Sequence, residues 1–224
     1  MIPKIIHYCW FGHNEKPKLA EKCIKSWKKY CPDYKIIEWN EDNFDIYCCP
    51  LYVRQAYEAK KWAFVTDYVR LKVVYDNGGV YFDTDVELRK PLDTIPECSA
   101  WFGFENERNV ATGLGFGAEK NTHVLLEMMR EYNDISFILN DGTFDKIPCP
   151  IRNTSVLLRH GLIQNNCMQT LDSNIIIFPT QYFCPIDYMS GKKHCTKETI
   201  SIHWFSASWH TKEDDLYIKK TKRA

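Results

Sequence analysis

The run Gly78-Gly79-Val80-Tyr81-Phe82-Asp83-Thr84-Asp85 constrains this chain more than any other segment. Two glycines stop whatever precedes them, three apolar residues read as a buried strand, and the strand then delivers two carboxylates spaced i and i+2. On an extended backbone that spacing points both carboxylates to one side. Held so close they repel, and one takes up a proton unless a cation keeps both charged. A hard divalent ion such as Mn²⁺ or Mg²⁺ is the natural third party. An Asp-x-Asp pair by itself also fits a solvated turn. The apolar strand directly before it favours a site, because ligands of open α/β sheets bind beyond the carboxyl ends of the strands.

The surrounding pattern is α/β. Lys4 to Trp10 reads as a strand ended by Phe11-Gly12, and from Pro17 the residues Leu19, Cys23, Ile24, Trp27 and Tyr30 recur at helical spacing until Pro32. Tyr34 to Trp39 is a second strand, so residues 4–39 form a βαβ unit whose default pairing is parallel. Helices are expected over 51–61, 62–76, 122–132 and 152–160, and strands over 80–82, 86–88, 99–104, 114–117, 174–178 and 199–204. A length of 224 residues suits a single domain over 1–210 followed by a charged tail over 211–224, and 45% apolar residues supply a real core.

Composition excludes some classes of function. Lys plus Arg (29) balances Asp plus Glu (29), so no basic field points to nucleic acid. No stretch approaches the roughly 18 apolar residues of a membrane span. Met1-Ile2-Pro3-Lys4 does not open a signal peptide, which gives a cytoplasmic location as the expectation. The ten cysteines include no Cys-x-x-Cys pair and are expected to be reduced and mostly buried.

Three further groups bear chemistry. Asp67 and Arg70 stand at i and i+3 on a helical face, where a carboxylate and a guanidinium could bridge sugar hydroxyls or simply pair with each other. His203 ends an apolar strand and is followed by Ser208 and Trp209; imidazole could join the metal, and hydroxyl and indole N–H could donate to phosphate oxygens. Trp10 and Phe11 end the first strand, where an aromatic face could stack on a nucleobase or belong to the core.

Taken together, Ile2-Pro3-Lys4-Ile5-Ile6-His7, Ala63 through Arg70, the glycine-led run to Asp85, and His203 with Ser208-Trp209 make the chain resemble glycosyltransferase family 32. This family comprises Asp-x-Asp sugar transferases, among them fungal Golgi mannosyltransferases and bacterial capsule enzymes, and the glucosyltransferase domains of large clostridial toxins are related. The resemblance implies a GT-A fold, a nucleotide-diphosphate-sugar donor, Mn²⁺ or Mg²⁺, and transfer with retention of configuration. It implies Asp85 and His203 as metal ligands, with Asp83 as their partner that also holds the ribose. It further implies Asp67 and Arg70 as the pair gripping the donor sugar, Tyr81 in the donor pocket, Trp10 against the base, and Ser208 with Trp209 on the β-phosphate. Where relatives often place an Asn for the sugar, this chain has Thr112 or Gly113, and Cys149-Pro150 replaces a Gly-Pro ahead of the next helix.

Two rival readings stand beside it. A phosphohydrolase of the haloacid-dehalogenase kind also opens on a strand ending in Asp-x-Asp, but it expects a small β-branched residue where Glu87 stands. A non-catalytic, cation-dependent sugar-binding module explains neither Asp67 with Arg70 nor the segment after His203. Under the transferase reading the donor is expected to be a UDP-hexose rather than a GDP-sugar. The acceptor is expected to be a saccharide or lipid-linked oligosaccharide of a capsule or O-antigen, with the basic tail 211–224 as a candidate peripheral contact with the membrane.

Overall fold

A computed structural model describes residues 1–188 and 190–206. The chain opens with β1 (Ile5–Cys9), α1 (Lys18–Tyr30) and β2 (Lys35–Trp39), and β1 pairs β2 in parallel from Ile5 opposite Lys35 to Cys9 opposite Trp39. Pro17 caps α1 with a φ suited to a helix start, and Ala20, Cys23 and Trp27 form its buried stripe. Next come α2 (Leu51–Glu58), α3 (Trp62–Asn77), β3 (Gly79–Tyr81) and β4 (Val86–Leu88). They are followed by β5 (Ala100–Phe104), β6 (Val110–Ala111), β7 (Phe116–Ala118), α4 (His123–Arg130) and α5 (Cys149–Arg159). The chain closes with β8 (Gln169–Leu171), β9 (Ile175–Phe178), α6 (Thr180–Phe183) and β10 (Ser201–His203).

Eight strands form the main sheet in the order β2-β1-β3-β7-β5-β9-β8, with β6 on β5. β2, β1, β3, β5 and β9 run in one direction, and β7, β8 and β6 are reversed. The carboxyl ends of β1, β3, β5 and β9 therefore reach one edge, bringing Trp10, Asp83, Glu105 and Thr180 around a single cavity. Helices α2 to α5 bury one face of the sheet around Val69, Phe102 and Leu125, while α1 and α6 bury the other around Trp27, Trp101 and Phe183. No helix among the described residues is long and apolar enough to cross a membrane.

Several boundaries differ from the sequence expectation for visible reasons. The helix expected from 152 begins at Cys149, because Pro148 caps it and Pro150 sits in the first turn, where its missing N–H costs nothing. The weak strand expected over 114–117 is displaced to Phe116–Ala118 because Gly115, at φ +113, turns the chain first. The C-terminal strand is only Ser201–His203, and it pairs antiparallel with β4 in a separate two-stranded sheet, His203 opposite Val86. β6 and β8, of two and three residues, carry no alternation long enough to read. All ten cysteines are free, with Cys48, Cys167 and Cys195 exposed and the others buried.

The passage from α3 into β3 requires its two glycines. Gly78 and Gly79 take φ of +67 and +106, and a Cβ on Gly79 would stand 2.7 Å from the Ile5 carbonyl oxygen. The tight exit lets β3 lie against β1, with Ile6 opposite Val80 and His7 opposite Tyr81.

Candidate active site

Alternation along the strand aims the site. Val80 and Phe82 enter the core beside α1, so Tyr81 takes the other face and the chain leaves the sheet with Asp83 at the cavity. The Tyr81 hydroxyl donates to Asp83 Oδ1 at 2.9 Å. Asp67 and Arg70 come from α3, both buried, and are tied to the same carboxylate: Arg70 Nη2 stands 3.2 Å from Asp67 Oδ1 and 3.3 Å from Asp83 Oδ1.

Arg70 is fixed from several sides. Its Nε donates to the Thr66 carbonyl at 3.0 Å and its Nη2 to Thr66 Oγ1 at 3.2 Å, while the guanidinium lies 5.2 Å from the Tyr81 ring centre. Burial acts to lower its pKa, but the charges of Asp83, Tyr81 and Asp67 outweigh it and hold the guanidinium protonated. Burial pushes the carboxyls of Asp83 and Asp67 up, against the opposing pull of Arg70.

Asp85 lies in a different environment. Its Oδ1 is 3.2 Å from His203 Nε2, its Oδ2 accepts the Ser206 backbone N–H at 2.8 Å, and its carbonyl accepts from the Trp204 backbone at 3.1 Å. Burial alone would raise its pKa, yet the His203 charge and these hydrogen bonds hold the carboxyl well below the usual carboxylate range. Burial pulls the His203 imidazole down, and Asp85 more than offsets that and holds it well above its ordinary value.

Ligand atoms of Asp83, Asp85 and His203 all lie within 4.8 Å of one another. Three carboxylates, Asp67, Asp83 and Asp85, face one guanidinium and one imidazole, and buried His203 Nδ1 has no hydrogen-bond partner among the described residues. Such an excess of hard oxygen donors with one nitrogen fits Mn²⁺ or Mg²⁺.

Trp10 stands at the end of β1, half-buried, with its indole N–H on the Asn14 carbonyl at 2.7 Å and Lys16 Nζ 5.6 Å from its ring centre; it lines the cavity. Phe11 lies in the core. Ser208, Trp209 and the tail 211–224 fall outside the described residues.

Sequence reasoning missed other members of the site. Cys149 Sγ lies 3.9 Å from Arg70 Nη1, placing the first turn of α5 behind the Asp67–Arg70 pair. Glu87, two residues past Asp85, accepts from the Trp204 indole at 3.0 Å and from Lys22 Nζ at 2.7 Å. Glu105 lines the cavity directly after β5, its carboxyl raised by burial against the pull of His203. Its signal in the sequence was the one that exposed Asp83, an acid directly after an apolar strand. Thr112 is buried and receives Asn153 Nδ2 at 2.9 Å, while Gly113 packs directly against Asp83.

This sheet, with its acidic strand end at a crevice of about 1270 Å³, has the GT-A fold. Residues 17–101 match the family model described as a glycosyltransferase sugar-binding region containing the DXD motif, and the match takes in the Asp83–Asp85 pair, Asp67 and Arg70. Inositol phosphoceramide mannosyltransferase 3 of Schizosaccharomyces pombe is 28% identical over 140 residues, 61% of this chain and 38% of the relative. An uncharacterized glycosyltransferase, L373, of Acanthamoeba polyphaga mimivirus is 27% identical over 156 residues, 62% of this chain and 61% of the relative. The alignments thus span between about two fifths and three fifths of these relatives. Among solved structures, the PaToxG glycosyltransferase superposes with a TM-score of 0.55 at 17% identity over 70% of this chain and 68% of that one. A glycosyltransferase involved in glycosylation of the major capsid of PBCV-1 superposes with a TM-score of 0.51 at 12% identity over 97% of this chain and 100% of that one. The family match and the relatives favour the transferase reading over the phosphohydrolase and binding-module readings.

Proposed function

We propose that this chain moves a hexose from a nucleoside-diphosphate donor to a saccharide acceptor, with retention of configuration, in assembling a polysaccharide of the capsule or O-antigen type. The observation that carries the reading is the convergence of Asp83, Asp85 and His203 beside the buried Asp67–Arg70 pair. In this reading Asp85 and His203 hold the cation, Asp83 supports them and takes the donor ribose, and Trp10 stacks on the base. Asp67 and Arg70 bind the donor sugar, Tyr81 lines its pocket, and Ser208 and Trp209 donate to the β-phosphate. A UDP-hexose is the favoured donor. The mannosyltransferases among the relatives make mannose one sugar to assay and a lipid-borne saccharide one acceptor.

A divalent cation bound there supplies positive charge to the departing diphosphate. The protein's own contribution is to fix donors in place beforehand: Arg70 cannot swing away from its carboxylates, and Asp85 is held by the Ser206 and Trp204 backbones. We assign no side chain as nucleophile. The acceptor hydroxyl attacks on the face the diphosphate leaves, and its proton passes to a leaving phosphate oxygen; trapping a covalent glycosyl-enzyme would overturn that step.

Calorimetric binding and thermal shifts with UDP, GDP and their hexose conjugates, with and without Mn²⁺, test the reading on the wild type and Asp85→Ala. The expected result is tight binding of one nucleotide that requires both the metal and Asp85. A folded protein that binds none of them would refute the proposed donor site.

A further inference from the structure

With the donor elements set aside, one wall of the cavity is left without a task. It is formed by the end of β5, by the segment from α6 to Tyr188, and by Phe205. The crevice, at about 1270 Å³, exceeds the roughly 300–1,000 Å³ of a pocket for one small ligand and leaves room for a second substrate.

Glu105 follows β5 as Asp83 follows β3, and because the two strands run the same way, both acids stand at one edge of the sheet. Unlike Asp83, Glu105 has no side-chain hydrogen bond or ion pair with any described residue, although it is half-buried and lines the cavity. The same cavity holds an aromatic corner around His203, whose charge acts on the Glu105 carboxyl. The Phe205 ring centre lies 4.3 Å from that of His203 and 5.1 Å from that of Tyr188. Phe205 takes φ +48, a left-handed conformation that an aromatic residue rarely adopts. The contacts on either side keep it there, since Trp204 and Ser206 both donate their backbone N–H groups to Asp85. The constrained backbone thus places an aromatic face against His203 on the cavity wall.

An aromatic face in one cavity with a carboxylate that no described residue engages matches a pyranose, whose C–H face packs on rings and whose hydroxyls donate to carboxylate oxygens. We propose that this wall is the acceptor subsite and that its ligand is a pyranose, packed on Tyr188 and Phe205 with a hydroxyl donating to Glu105. The inference rests on the transferase reading above and extends it to the second substrate.

The test measures how a donor found by the binding assay divides its sugar between glycoside and water. Methyl and octyl hexopyranosides serve as acceptors for the wild type, Glu105→Gln and Tyr188→Ala, each with its melting temperature recorded. The ratio of transferred to hydrolysed sugar is expected to fall at least ten-fold in both variants, with the affinity for nucleotide plus Mn²⁺ within two-fold of wild type. Equal ratios for methyl and octyl glycosides would support recognition of the sugar alone, and a higher octyl ratio would support a lipid-borne sugar; both support the pyranose. An unchanged ratio would overturn the inference. So would a parallel loss of nucleotide affinity, which would put Glu105 on the donor side, and so would a wild type that uses donor but transfers to no glycoside. A wild type that binds no nucleotide with metal would instead remove the transferase reading itself.

Discussion

Glu87 Oε2 accepts the Trp204 indole N–H at 3.0 Å, tying the strand that leaves the Asp-x-Asp motif to the segment that carries His203. The same oxygen takes Lys22 Nζ at 2.7 Å, and Lys22 and Lys193 lie 5.0 and 4.3 Å from the Trp204 ring centre. Glu87 acts through Trp204 and keeps His203 facing Asp85. Glu87→Ala is expected to weaken Mn²⁺ binding about ten-fold, roughly 1.4 kcal/mol, measured by calorimetry with metal alone. Glu87→Gln retains an acceptor for the indole and is expected to stay within about three-fold of wild type. Equal metal affinity in wild type and Glu87→Ala would show that the latch does not position His203.

Arg70 stands between buried Asp67 and half-buried Asp83, so removing it strips both of their guanidinium partner and leaves Asp83 only the Tyr81 hydroxyl. Arg70→Met is expected to cost roughly 3–5 kcal/mol in urea unfolding and to abolish measurable transfer. Adding Asp67→Asn removes one stranded charge and should restore part of the stability without restoring activity. Arg70→Lys should not rescue transfer, because one ammonium cannot reach Thr66 and both carboxylates in the arrangement the guanidinium holds. Wild-type stability in Arg70→Met would contradict the account.

The extent to which the sequence disclosed this site follows from the range of its interactions. The βαβ unit and the Asp-x-Asp strand end were legible because each rests on local periodicity, the helical recurrence of Cys23 and Trp27 and the apolar run into Asp83. His203 could be named as a strand end, but its pairing with Val86 joins positions more than a hundred residues apart, and nothing local announces that. Cys149 was hidden by its type. A buried thiol reads as core, and only the docking of α5 behind Arg70 brings it to the site. Glu105 was legible in principle, but an acid after β5 gains meaning only once β3 and β5 are known to run the same way.

Gly113 is required by contact. A Cβ at this position would lie 2.6 Å from Asp83 Oδ2 and 3.1 Å from Arg70 Nη1. Gly113→Ala is therefore expected to displace the Asp83 carboxylate and lower kcat/KM at least ten-fold, about 1.4 kcal/mol of transition-state stabilisation, while the fold survives. Calorimetric titration should show Mn²⁺ affinity falling in parallel. Gly113→Ala with wild-type kcat/KM would mean that Asp83 is not needed where the structure places it.

His7 makes stability depend on pH. The ring is fully buried, its Nδ1 lies 3.0 Å from the Trp39 indole nitrogen and its Nε2 lies 2.9 Å from the Gly78 carbonyl oxygen. An indole N–H can only donate, so Nδ1 accepts and Nε2 carries the proton it donates to Gly78. The neutral ring satisfies both bonds, and a second proton would break the one to Trp39. Burial, with a smaller push from Lys35 and against the Gly78 bond, lowers the pKa to about 4 from 6.5. As pH falls through 6.5 the unfolded chain takes up this proton first, so stability is full above that pH and declines toward pH 4, by about 3 kcal/mol in all. Urea unfolding at pH 7.5, 5.5 and 4.5 should show the wild type losing stability more steeply than His7→Gln, which starts less stable but lacks this titration. Parallel profiles would mean that His7 is not held neutral between Gly78 and Trp39.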